Sequence, residues 1–172
     1  MKRIIYLLVS IAILSCSTTK QLTLKGNYLA EPFTFTSPKS KQQVWDNVVS
    51  IVAQTGMKFS RLDKDNGLLV SEEYSFAGAI TTEDINGNLL DTSAWIVVNS
   101  KYWKVTKEYE HPKAITGVLT VHLKESSGGT LGNINLTNLK VYNTATGLPV
   151  PADRYVVRST GVFERKLADK LK

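Results

Sequence analysis

The sequence predicts an α+β domain: one antiparallel β-sheet with two helices packed on one face, in the order β-α-β-β-(loop)-β-β-β-α. Two apolar stripes and the stretch between them lead to this. Val44, Trp45, Val48, Ile51 and Val52 recur at helical spacing, and so do Phe163, Leu167 and Leu171 near the other end. Between the stripes, apolar and polar residues alternate, as strands covered on one face require. In 115–124, Leu119, Val121 and Leu123 face one way and Thr120, His122 and Lys124 the other. A length of 172 residues suits one domain plus a targeting segment, and 42% apolar with 21% charged residues is a globular composition.

Each element has its own signals. Residues 33–36 form a short alternating strand. Ser37 and Pro38 offer a cap and a first-turn residue for the helix that follows, and Ser40 with Gln43 offers a second start, a capping box. Gly56 stops that helix. Residues 57–62 and 68–76 are the arms of a hairpin, and Asn66-Gly67 in its turn supplies positive φ. Val70, Glu72, Tyr74 and Phe76 share one face of the second arm. Residues 77–94 read as a long loop with a short hairpin at Asn86-Gly87. A strand over 95–107, kinked near Asn99, precedes the 115–124 strand. Ser126-Ser127-Gly128-Gly129 turns the chain into a strand over 131–142, whose apolar phase slips between Leu136 and Leu139 and predicts a bulge. Residues 144–153 form a loop and 159–171 the closing helix. A domain of about 140 residues buries roughly two thirds of its unfolded surface, enough for one core.

The first sixteen residues, MKRIIYLLVSIAILSC, have a different purpose. Lys2 and Arg3 precede an apolar stretch that is too short for the ~20 residues of a membrane span and suits the core of a signal peptide. Ile13-Leu14-Ser15-Cys16, at the end of that stretch, resembles the bacterial lipobox, and Cys16 is the sole cysteine of the chain. The resemblance implies cleavage between Ser15 and Cys16, a diacylglyceryl thioether on Cys16 and acylation of the freed amine. Two or more acyl chains anchor stably where one does not. Ser17, where an aspartate would signal inner-membrane retention, implies sorting to the outer membrane, on the periplasmic side. Three segments follow: residues 1–15 as signal peptide, 16–32 as lipidated cysteine and polar tether, and 33–172 as the α+β domain. Leu22, Leu24, Tyr28 and Leu29 are the tether residues able to dock on the domain instead.

The stretch FTFTSPKSKQQVWDNVVSIVAQTGMKFSRLDKDNGLLVSEE, residues 33–73, combines a strand, a Trp-bearing helix, a Gly stop and a hairpin closing on Asp-x-x-x-Gly-Leu-Leu-Val. It resembles the helix-grip, TBP-like domains of bacterial envelope lipoproteins. Bacteroidetes lipoproteins of unknown function carry one such unit, and the C lipoprotein of the β-barrel assembly machinery, a more remote likeness, carries two. Ser159-Thr160-Gly161-Val162-Phe163-Glu164 resembles the start of their final helix. The resemblance implies an envelope protein that works by binding.

Candidate chemistry is sparse. His111 sits beside Pro112 in a turn, and His122 on the polar side of a strand, neither with a convergent partner. No nucleophile elbow or phosphate-binding loop occurs. Asp84-x-Asn86-x-Asn88 imitates the opening of a calcium loop, but Leu89 and Trp95 stand where that loop needs glycine and glutamate. The reading therefore assigns no metal and no cofactor. A surplus of 21 Lys and Arg over 15 Asp and Glu falls to 19 over 15 without Lys2 and Arg3, too mild to argue for nucleic acid. Arg165, Lys166, Lys170 and Lys172 form a solvated basic face on the last helix.

Trp95, Tyr102, Trp103 and Tyr109 remain as the candidate interaction surface. Successive strand residues face opposite ways, so Tyr102 and Trp103 cannot both point at the helices. The expectation is a non-enzymatic lipoprotein held to membrane lipid through Cys16, presenting its sheet to another envelope protein. A carrier of lipid or a small hydrophobic ligand, with a groove between sheet and last helix, is the alternative. An enzyme is the third reading and needs Glu72, Glu73 or Asp84 to converge in a cleft.

Overall fold

A computed structural model describes residues 23–29, 31–100, 114–142, 146–150 and 155–172. The expected α+β class is what it shows. Eleven elements run β1 (Phe33–Ser37), α1 (Lys41–Gln54), β2 (Phe59–Asp63), β3 (Leu68–Ser71), β4 (Tyr74–Ser75), β5 (Ile80–Thr81), β6 (Ile96–Ser100), β7 (Ala114–Ser126), β8 (Gly129–Tyr142), β9 (Tyr155–Ser159) and α2 (Val162–Leu171).

The main sheet is antiparallel, in the order β1-β8-β7-β3-β2, with β4 continuing along the β7 edge that β3 occupies. Strand β1 lies at one edge and β2 at the other, so α1, which joins them, crosses the sheet. A capping box starts α1: Gln43 N donates to Ser40 Oγ at 3.3 Å, and Ser40 N to Gln43 Oε1 at 3.1 Å. Of the two starts offered by the sequence, Ser40 is the cap. Ser37 ends β1, and its buried hydroxyl donates to the Leu171 carbonyl at 2.7 Å, joining the first strand to the last helix.

Val44, Trp45, Val48 and Val52 of α1 and Phe163, Leu167, Ala168 and Leu171 of α2 are buried in one core with Phe35, Leu69, Leu119, Val121, Leu123, Ile134 and Leu136 of the sheet. Gly132 of β8 lies beneath the Phe35 ring; a β-carbon there would stand 2.2 Å from Phe35 Cε1. The expected bulge is present: Thr116 pairs with Lys140 and Val118 with Thr137, leaving Asn138 and Leu139 opposite Gly117, with Asn138 at φ 51°.

Three features depart from the sequence reading. The second hairpin arm is not one strand. It breaks at Glu72-Glu73, so Leu69 and Ser71 are buried before the break and Phe76 after it, and Val70 belongs to the opposite face from Phe76. A second sheet, β5-β6-β9, sits beside the main one, and its β5–β6 pair is parallel. Its β9 was not expected, because Tyr155-Val156-Val157-Arg158-Ser159 is a short apolar run without clear alternation. The closing helix accordingly starts at Val162, after Gly161 at φ 77°, and not at Ser159.

Candidate functional site

The proposed lipidation pair Ser15 and Cys16, and three of the four candidate surface aromatics, Tyr102, Trp103 and Tyr109, lie outside the described residues. His111 does too. The fourth aromatic, Trp95, is half-buried at the junction of the small sheet and α2. Its ring lies 4.7 Å from that of Phe163 and 6.4 Å from that of Phe76, which meets Tyr74 edge-on at 5.5 Å. Its backbone is fixed on both sides: Trp95 N donates to Ala79 O at 2.9 Å, and its carbonyl accepts from Thr160 N at 2.9 Å. Trp95 thus joins an aromatic row against the core and is not laid out on the open sheet face.

That open face is polar. The register places Thr34, Asn133, His122 and Leu68 in one row across β1, β8, β7 and β3, with Asn135, Thr120, Val70 and Arg61 in the next. Thr34 Oγ1 and Asn133 Oδ1 are hydrogen-bonded at 3.0 Å. The hydroxyls and amides of these rows offer donors and acceptors to a polar partner. The opposite face is filled by the helices, and Phe163, Leu167 and Leu171 occupy the space between α2 and the sheet.

A second surface is built where the chain enters the domain. Residues 25–29, expected within the tether, dock on the domain. Glu83 organises the contact: it accepts from Lys25 N at 2.9 Å, Gly26 N at 2.7 Å and the Tyr28 hydroxyl at 2.5 Å. Leu29 then pairs with Ser159 of β9. Burial and the Glu83 carboxylate together push the Tyr28 phenol well above its ordinary range. Desolvation alone would raise the pKa of Glu83, but the Tyr28 hydroxyl and the two amides outweigh it and the net shift is downward.

Glu83 also begins a small hairpin, expected at Asn86-Gly87 and present there. Glu83 pairs with Leu89, Leu90 N donates to Thr82 O at 3.0 Å, and Gly87 N, at φ 89°, closes the turn on Asp84 O at 3.1 Å. The Asp84 carboxylate accepts from Asn86 N and Asn88 N, both at 2.8 Å. It is thereby spent on its own turn, which explains the calcium-like spacing without a cation. The remaining turn residue, Ile85, projects into solvent.

Of the carboxylates of the enzymatic alternative, Glu73 and Asp84 are tied to separate partners, and Glu72 is exposed. Glu73 bonds the Thr116 hydroxyl, the Tyr142 hydroxyl at 2.9 Å and Lys140 Nζ at 3.3 Å. The Thr116, Tyr142 and Lys140 bonds, in that order of effect, lower its pKa. Among the described residues no group of three His, Cys, Asp or Glu side chains is placed to hold a metal, and no helix is long and apolar enough to cross a membrane.

One acid passed over in the sequence is unusual. Glu164, in the first turn of α2, is fully buried, and neither carboxylate oxygen has a hydrogen bond. Burial raises its pKa, and the facing Ser159 hydroxyl and Leu136 amide offset this only in part. Its position beside Phe163 and one turn before Ala168, on the stripe that packs the helix, was the available signal.

No known protein family matches this chain, and no curated protein matches it either.

Proposed function

We propose that this protein is a lipoprotein of the bacterial outer membrane, held on the periplasmic side by lipid on Cys16, and that it works without catalysis as an interaction module. The observation that carries the reading is Ile13-Leu14-Ser15-Cys16 placed directly after a cationic start and a short apolar stretch. The adjacent polar pairs Thr34–Asn133 and Thr120–Asn135 support a binding role, since these groups lie on the sheet face opposite the helices and outside the hydrophobic core. Glu73, Asp84 and Glu164 fit it as well, being held by a strand contact, a turn and the core in turn.

Intact-mass analysis of the chain purified from its own host tests the anchor. The expected product begins at Cys16 and carries a diacylglyceryl thioether with an acylated amine. A free thiol, or processing elsewhere, overturns the reading. Crosslinked pull-downs with wild type and with an Asn133→Glu, Asn135→Glu pair test the binding face. An envelope protein captured by wild type and lost with the pair, at unchanged thermal stability, is the expected result.

A further inference from the structure

We infer that the 82–90 hairpin is the edge of the domain that rests on the phospholipid bilayer, with Ile85 and Leu90 entering the headgroup region beside the anchor. This rests on the lipid-anchored reading of Cys16 and adds to it an orientation.

Three observations lead there. First, Ile85 is 85% exposed and Leu90 69% exposed, the two most exposed large apolar side chains among the described residues. Both sit on a hairpin whose other residues are Thr, Glu, Asp, Asn and Gly with the half-buried Leu89, where water has no reason to favour them. Second, the described residues on the Cys16 side of the domain begin against this hairpin. Lys25 N and Gly26 N are held by Glu83, the Lys25 side chain packs on Gly87, and its ammonium donates to the Ile85 carbonyl. Third, the reach is short. The seven steps from Cys16 to Thr23 span at most ~25 Å even fully extended. A domain of this size is about 37 Å across, so turning its far side to the membrane needs a path of about 55 Å over its surface. A lipid on Cys16 therefore confines the domain to approaching the bilayer by the side on which the hairpin projects.

The charges around the hairpin suit a lipid surface. Glu83 is spent on two amides and a phenol, and Asp84 on its own turn. Asp91 is held by Ser93, with Lys166 of the basic α2 face close enough to interact. Lys25, at the hairpin, and Lys166, near Asp91 that follows it, are the cations available to phosphate groups on this side.

The test uses full-length protein expressed in its host, carrying Ile85→Cys or, as a control, Asp65→Cys in the β2–β3 turn. That turn lies by His122 of β7, several residues along the strand from Gly117, where β4 enters. Each protein is purified, Cys16 is checked by intact mass, and the new thiol is labelled with NBD. The labelled proteins are placed in vesicles of phosphatidylethanolamine with a minor share of phosphatidylglycerol. The expected result is a blue shift and a several-fold emission rise at position 85, quenched by bromine on the lipid chains, with no change at position 65. A lipidated protein whose residue-85 probe stays in water, or whose two probes respond alike, overturns the orientation and leaves the anchor standing. An unlipidated Cys16 overturns both. A Leu90→Ser change in the labelled protein is expected to reduce the residue-85 signal, and an unchanged signal removes Leu90 from the contact.

Discussion

The Phe35 ring occupies the space above Gly132 where any other residue would carry its β-carbon. Two ring carbons, Cε1 and Cζ, would stand 2.2 and 2.4 Å from that atom, and Leu123 Cδ2 3.0 Å from it. The ring is rigid and buried, so it cannot swing aside as a flexible tip would. Gly132→Ala is expected to cost ~1–3 kcal/mol, the range for overpacking a filled core. Urea denaturation measures this, and Phe35→Leu in the same chain is expected to recover part of the loss.

Glu164 makes stability fall as pH rises. Its pKa in the folded state lies above the unfolded value of 4.5. Below that value the group is protonated in both states and carries no penalty; as pH climbs through the folded value, a carboxylate must form inside the core. Glu164→Gln removes the titration. Denaturation midpoints of variant and wild type are expected to approach each other below pH 4.5 and to separate above it, with the variant higher. Glu164→Leu, which also removes the unbonded oxygens, is expected to be more stable than wild type at pH 8 by ~1–3 kcal/mol.

Glu83 acts in the opposite sense. Its folded-state pKa is lowered, so its contribution is present above 4.5 and is lost as pH falls through the folded value. Acidification is expected to free residues 25–29 before the core yields, and Glu83→Gln to do so in part at neutral pH. Hydrogen exchange at the Lys25 and Gly26 amides reports it: both are expected to be protected in wild type at pH 7 and to exchange faster in the variant, while the Ile134 amide keeps its rate.

Ser37→Ala tests the closure of the fold. It removes the 2.7 Å bond to the Leu171 carbonyl and leaves that acceptor with a buried alanine as neighbour. The expected cost is ~1–2 kcal/mol, and amides in the last turn of α2 are expected to lose exchange protection first.

Much of this architecture is legible in the chain because single residues decide it. Ser40 with Gln43, the Val44 to Val52 stripe and Gly56 specify α1 without help from the rest of the molecule. Asn66-Gly67 specifies the β2–β3 turn, and the phase slip between Leu136 and Leu139 locates the bulge. The misses come from tertiary context. Ser37 and Pro38 look like a helix start, but the Ser37 hydroxyl is claimed by Leu171, which is 134 residues away. Strand β9 exists because β6 pairs with it and Leu29 bridges to it, and neither contact has a local signature. Trp95 can be read as a surface or a core aromatic, and the approach of Phe163 decides for the core. The candidate membrane edge was the least visible: Ile85 attracts notice only once the chain entry at Lys25 is seen beside it.

The bond between Ser37 and Leu171 also governs the order of events when the polypeptide is made. Strand β1 finds its neighbour β8 only after about a hundred further residues have been added, and the helix that seals its end comes later still. On a nascent chain β1 therefore stays unpaired long after α1 and the β2–β3 hairpin have been made. Loss of the last turn of α2 should leave an open, sticky intermediate in place of a shortened domain, which makes this protein a natural client for holding chaperones until α2 has docked.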